Sequence, residues 1–268
     1  MWTGVVIGTL CALSADSWPI IWIGLEMNLI SFLLVINQNW LTKRTSIIYF
    51  IVQRVGSLSI LGGGFISDWC GMIDSCVTLG LLLKTRLAPL HFWGALLLAK
   101  LTKLPGYFFL TWQKIAPLFM LFLTTTKFLL VSLIIINIIV ASSCRISTKN
   151  IYVLLFFSGL IHVCWVLSSP LSCAICYYLL YSIICLPLFI PEQNIPLLIY
   201  NLAGLPPFTG FFMKLHIIQI IAPGWCFLMI LFNSLILYAY VRVFLFTDNK
   251  KRPIKTTTVL VCSLGLLL

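Results

Sequence analysis

The sequence predicts an all-α polytopic membrane protein of about 11 transmembrane helices, antiporter-like in that two of the helices are broken at proline. Three observations predict it. Of the 268 residues, 61% are hydrophobic and only 9% charged, against roughly 25% charged residues in a soluble domain. Apolar segments recur at about 20 residues, the length a helix needs to cross a ~30 Å hydrocarbon core. They are unbroken rather than alternating, which excludes a membrane barrel and leaves helices as the spanning element.

The predicted helices lie near 1–15, 18–36, 46–66, 72–94, 104–124, 127–143, 150–168, 171–190, 195–221, 225–246 and 256–268. Met1 to Leu13 is too poor in basic residues for a secretory leader and reads as a short, retained first helix. The connections test the count. On the side of the N-terminus they hold Lys43 and Arg44, Lys100 and Lys103, Arg145 and Lys149, then Lys250, Lys251, Arg252 and Lys255. On the other side stand Asp16, Asp68 and Asp74, with Lys127 as the single cation. One miscounted helix would scramble this positive-inside pattern. It places the N-terminus on the positive side and the C-terminus opposite, in one integral membrane domain spanning 1–268.

The net charge of +11 is therefore topological. No basic run lies on a soluble face to receive nucleic acid. No connection exceeds about ten residues, so no soluble domain is present to hold a nucleotide, a flavin or a cluster. Gly62-Gly63-Gly64 lacks the Lys-Ser/Thr of a phosphate loop and reads as helix packing or termination. The ten cysteines are scattered, and Cys173 and Cys176 sit in an apolar helix as packing residues. Cys70 and Cys76 share a loop, in a setting that does not favour the disulfide their spacing permits.

The charges inside the apolar segments carry the chemistry. Glu26, in Trp22-Ile-Gly-Leu-Glu-Met-Asn28, is the one intramembrane carboxylate. The buried bases are Arg54, Lys84, Arg86, Lys114 and Lys214, with Arg242 nearer a helix end. A lysine held in low dielectric and facing a carboxylate is either a two-state proton site or a static ion pair that fixes helix packing. By depth, Lys84 is the natural partner of Glu26. Lys114 stands mid-helix in Leu110-Thr-Trp-Gln-Lys-Ile-Ala-Pro117, where Pro117 cannot bond the carbonyl of Gln113. Lys214 follows Asn201-Leu-Ala-Gly-Leu-Pro-Pro-Phe-Thr-Gly210, where Pro206 and Pro207 break a second helix. A lysine beside a broken helix in each half of a chain is the pattern of transporters with a midplane site. His162 lies about 12 residues into its helix and can relay a proton or serve as a satisfied packing residue. His91 lies nearer the positive-side helix end, and His216 faces away from Lys214.

Four motifs, Trp22-Ile-Gly-Leu-Glu-Met-Asn28, Ala88-Pro-Leu-His-Phe-Trp93, Thr111-Trp-Gln-Lys-Ile-Ala-Pro117 and Gly204-Leu-Pro-Pro-Phe-Thr-Gly210 followed by Lys214, resemble the mitochondrial NADH dehydrogenase subunit 2 family in order and spacing. The resemblance spans roughly residues 7 to 246. It implies an antiporter-like subunit of respiratory complex I in the mitochondrial inner membrane, with the N-terminus in the matrix and the C-terminus in the intermembrane space. It implies further that Glu26 and Lys84 head a proton path continued by Lys114, His162 and Lys214. The chain itself would hold no cofactor. NAD, FMN, iron–sulfur clusters and ubiquinone would belong to partner subunits of a hetero-oligomeric membrane arm, and the other contact would be membrane lipid. The sequence departs from the family at Arg86, where glycine is usual, at Arg54, where a small residue is usual, and at Tyr152 and Val153, where a basic pair is usual. Both ends are shorter than usual. An autonomous cation/proton antiporter and a non-conducting structural subunit share the same helices and remain the competing expectations.

Overall fold

A computed structural model of the chain describes residues 1–37, 43–70, 75–147, 150–189, 195–206, 208–221 and 223–247. The expected helix 256–268, the basic residues Lys149, Lys250, Lys251, Arg252 and Lys255, Asp74 and Pro207 lie outside the described residues, as do the side chains of Asp68, Cys70 and Arg145.

Among the described residues the regular structure is entirely helical. In chain order the helices are α1 (Trp2–Leu13), α2 (Trp18–Ile36), α3 (Lys43–Cys70), α4 (Ser75–Thr85), α5 (Phe92–Leu98) and α6 (Lys103–Leu110). A 3-10 turn, Trp112–Lys114, leads into α7 (Ile115–Thr124). Then come α8 (Lys127–Ser147), α9 (Ile151–Ser168), α10 (Leu171–Phe189), α11 (Ile195–Ala203), α12 (Thr209–Ile220) and α13 (Pro223–Thr247). Among the described residues six segments are long and apolar enough to cross a membrane, including Trp18–Ile36 and Ile151–Ser168. The distribution of side chains is the reverse of a soluble protein. Ile7, Ile23, Ile30 and Leu34 are exposed while Glu26, Lys84, Arg86, Lys114 and Lys214 are buried. Lipid solvates the first set, and only protein-lined interiors tolerate the second.

The chain divides into two compact units, Met1–Leu129 and Leu130–Leu268. In the first, α1 and α2 pack backbone against backbone. A Cβ placed on Gly8 would come within 2.6 Å of the Asn28 amide nitrogen and 2.8 Å of the Gly24 carbonyl, and one on Gly24 within 2.6 Å of the Ala12 nitrogen. Small residues at such a crossing let dispersion and weak polar contacts act where no hydrophobic drive exists between membrane helices. Within the glycine triplet, Gly63 abuts the backbone of Val77 on α4 and Gly64 abuts the Trp18 ring, so packing rather than termination explains them. α3 continues past them to Cys70. Cys76 carries a free thiol.

The expected helix 72–94 is not continuous. It ends at Thr85, and Leu87 N–H bonds back to the Leu82 carbonyl at 3.2 Å while Arg86 takes a φ of 61°. This is the left-handed stop that usually carries glycine. Pro89 gives the physical reason, since continued helix would need its missing N–H to engage Thr85. The Ala88–Pro89 peptide is cis, and helix resumes at Phe92. The expected helix 104–124 is interrupted from Thr111 to Lys114, with Pro117 in the first turn of α7. In the second unit, the expected helix 195–221 leaves helical geometry between Ala203 and Thr209. There Leu205 N–H bonds back to the Tyr200 carbonyl at 3.3 Å and Gly204 has a φ of 77°. α4 and α11 thus end in the same motif, with Arg86 and Gly204 at the equivalent position.

Candidate functional site

Within the first unit, Glu26 on α2 is buried and both of its oxygens are engaged. Arg54 Nη1 on α3 donates to Oε2 at 2.6 Å, and Ser57 Oγ donates to Oε1. Among the described residues Arg54, not Lys84, is therefore the direct ion-pair partner of Glu26. Lys84 lies in the last turn of α4, 3% exposed, within Coulombic reach of both Glu26 and Arg54. Its stem runs along α3 at Gly56, whose Cβ would meet Lys84 Cγ at 3.4 Å. Depth made Lys84 the expected partner of Glu26, but the rotation of α3 puts Arg54 onto the carboxylate.

Lys114 is the last residue of the 3-10 turn and 1% exposed. That turn is held to α2 by Gln113, which donates from Nε2 to Asn28 Oδ1 at 2.8 Å, and Tyr49 Oη donates to Gln113 Oε1 at 3.5 Å. The Glu-Met-Asn and Trp-Gln-Lys motifs are therefore joined by a buried amide pair. Tyr49 also belongs to a ring cluster with Phe32, Trp93 and Phe109, and the Arg86 guanidinium stacks 3.8 Å from the Phe109 centroid. His91 is buried just ahead of α5, among the non-helical residues between the two helix segments.

Within the second unit, Lys214 on α12 reaches back to the end of α11. Nζ donates to the Ala203 carbonyl at 2.8 Å, the Leu202 carbonyl at 3.1 Å and Asn233 Oδ1 on α13 at 2.8 Å. An ammonium there satisfies carbonyls that a helix C-terminus leaves open and sits at the negative end of its dipole. Asn201 serves the opposite end of the break: its Oδ1 accepts from Gly210 N–H and from Thr209 Oγ1, each at 2.9 Å. His162 on α9 contacts Tyr177 Oη through Nδ1 at 2.7 Å and packs against the Tyr181 ring at 4.6 Å. A cavity of about 20 Å³ lies between His162, Tyr177, Tyr181, Asn201 and Lys214, roomy enough for one water by the usual threshold of ~10–15 Å³. His216 is exposed, with Nε2 3.8 Å from Cys173 Sγ.

The structure thus brings Glu26 and Lys84 together in one unit, tied through Gln113 to the turn of Lys114, and His162 and Lys214 together in the other. Sequence reasoning missed the roles of Ser57, Asn28, Gln113, Tyr177, Asn201 and Asn233. Their signal was polarity: each is a hydrogen-bonding side chain inside an apolar segment.

No protein-family model matches the chain. It is 30% identical over 253 residues to NADH-ubiquinone oxidoreductase chain 2 of Anopheles gambiae, an alignment covering 80% of this chain and 74% of that relative. The chain belongs to the NADH-ubiquinone oxidoreductase chain 2 family. The fold of this chain 2 family member is shared with solved structures at low identity. A chain of respiratory complex I from Thermus thermophilus with bound aureothin matches with a TM-score of 0.79 and 18% identity, over 99% of this chain and 75% of that one. A chain of the Mrp complex from Dietzia sp. matches with a TM-score of 0.76 and 15% identity, over 93% of this chain and 60% of that one. The two charged clusters described above are therefore set in a chain 2 family member whose fold is shared with chains of respiratory complex I and of the Mrp complex.

Proposed function

We propose that the chain is a proton-conducting membrane-arm subunit of NADH:ubiquinone oxidoreductase in the mitochondrial inner membrane. The membrane domain crosses about 11 times with its N-terminus in the matrix and its C-terminus in the intermembrane space, and three crossings, at Pro89, Pro117 and Pro206, are broken beside proline. Other membrane-arm subunits and lipid surround it, and NAD, FMN, iron–sulfur clusters and ubiquinone are held by partners that carry the electron transfer. Redox events there alter the electrostatic balance along the arm, the cluster of Glu26 and Lys84 opens or closes, Lys114 follows, and a proton passes by way of His162 and water toward Lys214.

The observation that carries this reading is Lys214. A lysine held by the carbonyls that end a broken helix, and sharing a water-sized cavity with a histidine, is a poor packing element and a good proton station. In membranes carrying the intact complex, a Lys214→Met variant retains NADH oxidation by the partner subunits and moves fewer protons per NADH. Unchanged proton movement in an assembled complex contradicts the role.

The buried lysines beside broken helices support a second reading, an autonomous cation/proton antiporter. The purified chain in liposomes separates the two. Cation-driven proton exchange by the chain alone favours the antiporter, and its absence together with co-purification of flavin and iron–sulfur proteins favours the subunit.

A further inference from the structure

α9 is apolar at most positions, yet one of its faces carries polar side chains at regular spacing. Ser158, His162, Trp165 and Ser169 follow one another at intervals of four, three and four residues. At 3.6 residues per turn they fall within about 60° of one another around the helix axis. All four are buried. Ser169 is the residue at which the helix ends, so the row runs about 10 Å from His162 to the C-terminal edge of the span. In the other direction the same face holds Ile151, Leu154 and Leu155, all apolar. The hydroxyls of Ser158 and Ser169 donate to the Leu155 and Val166 carbonyls at 2.7 and 2.9 Å, as serines in apolar helices commonly do, and each oxygen remains able to accept. Trp165 is not settled in that way. It is 1% exposed, and its Nε1–H is buried with no acceptor among the described residues. A phenylalanine would fill such a place without burying a donor that has to find an acceptor.

We infer that this face of α9 lines the proton's way between the His162–Lys214 cavity and the membrane edge at Ser169, and that Trp165 holds a water in it. His162 stands in the row and also lines the cavity with Lys214. One turn further on, the indole N–H donates to the water and keeps its own proton, which leaves the water to accept from the His162 side and donate toward the Ser169 hydroxyl. One proton joins the water as another leaves it, and no bond other than O–H and N–H changes. The loop charges put this end of α9 on the side opposite the N-terminus, the intermembrane space in the proposed orientation. Leu154 and Leu155 leave the same face dry in the other direction, so the row is one-sided. The inference rests on the proposed conduction by this subunit and adds the side on which its second cluster opens.

The test uses membranes with the intact complex and reads protons moved per NADH oxidised. Trp165→Phe keeps an aromatic ring and removes the donor, so NADH oxidation is retained and the ratio falls. Leu160→Val, a loss of volume on the opposite face of α9, keeps the wild-type ratio. The second arm adds silver ion, small enough for a file of waters and strongly bound by thiolate, to the intermembrane-space side. Silver lowers the ratio in Ser158→Cys beyond its effect on wild type and does nothing further in Leu154→Cys, one turn past the polar row. A wild-type ratio in Trp165→Phe, or equal silver sensitivity of Ser158→Cys and wild type, overturns the inference, and the silver arm decides alone where Trp165→Phe fails to assemble. Lys214→Met separates the two layers: a lowered ratio there with either of those overturning results sinks the outlet alone, whereas a wild-type ratio in Lys214→Met sinks the conduction reading beneath it.

Discussion

Two backbone positions show how single residues set the chemistry. Gly204 has a φ of 77°, and a Cβ there would stand 2.9 Å from Lys214 Cδ and 3.0 Å from Nζ. The lysine lies where only glycine leaves space, so the stop of α11 and the seat of the ammonium are one design. Gly204→Ala is expected to add about 1–2 kcal/mol of left-handed strain and to displace Lys214, lowering both the thermal stability of the assembled complex and its protons per NADH. Arg86 occupies the equivalent position in α4 at similar cost, and its stacking on Phe109 offsets part of it. That explains in backbone terms why glycine suits this site, and why an arginine can replace it once a ring is at hand. Tyr177 is a third case. Its hydroxyl fixes the His162 ring from the cavity side, and Tyr177→Phe removes one buried hydrogen bond, about 0.5–1.5 kcal/mol. Retained assembly with slowed proton movement is the expected outcome, checked by parallel assays of NADH oxidation and proton uptake; equal slowing of both would point to a packing role.

At the scale of elements, the interruptions matter more than the helices. Asn201 caps α12 across the break while Lys214 caps α11, so the two half-helices are joined by side chains where the backbone has let go. Asn201→Ala removes the cap of Gly210 N–H, a loss of about 1 kcal/mol, and is expected to loosen the break, measurable as faster amide exchange at Phe208, Thr209 and Gly210 than elsewhere in the unit. At the α1–α2 crossing, Gly8→Leu would force apart backbones already in contact, at about 1–3 kcal/mol or more. Reduced assembly of the complex, seen on native gels, is the expected result. Helix positions were legible in the sequence because apolar length alone marks a membrane span. The stop at Arg86 was not, although Pro89 stood in plain view, because the surrounding residues are apolar enough to read straight through it. Nor was the Glu26–Arg54 pair. Helices apolar on nearly every face carry no stripe to show which way they point, so the rotation that sets side-chain partners could not be read from the chain.

For the whole molecule, the account is one of buried charge organised in two units. The first holds Glu26, Lys84, Arg86 and Lys114, with the partly exposed Arg54 paired to Glu26, and the second His162 and Lys214. Desolvating so many ionisable groups is expensive, and a chain selected for packing alone would have replaced them with apolar residues of like volume. The proposed proton conduction supplies a reason to keep them. The central claim is that these groups move protons, and Lys114 tests it most directly because its 3-10 turn is tied to the Glu26 helix through Gln113 and Asn28. The measurement is the ratio of protons moved to NADH oxidised by the intact complex carrying Lys114→Met. A lowered ratio in a fully assembled complex is the result the account predicts, and a wild-type ratio would contradict it.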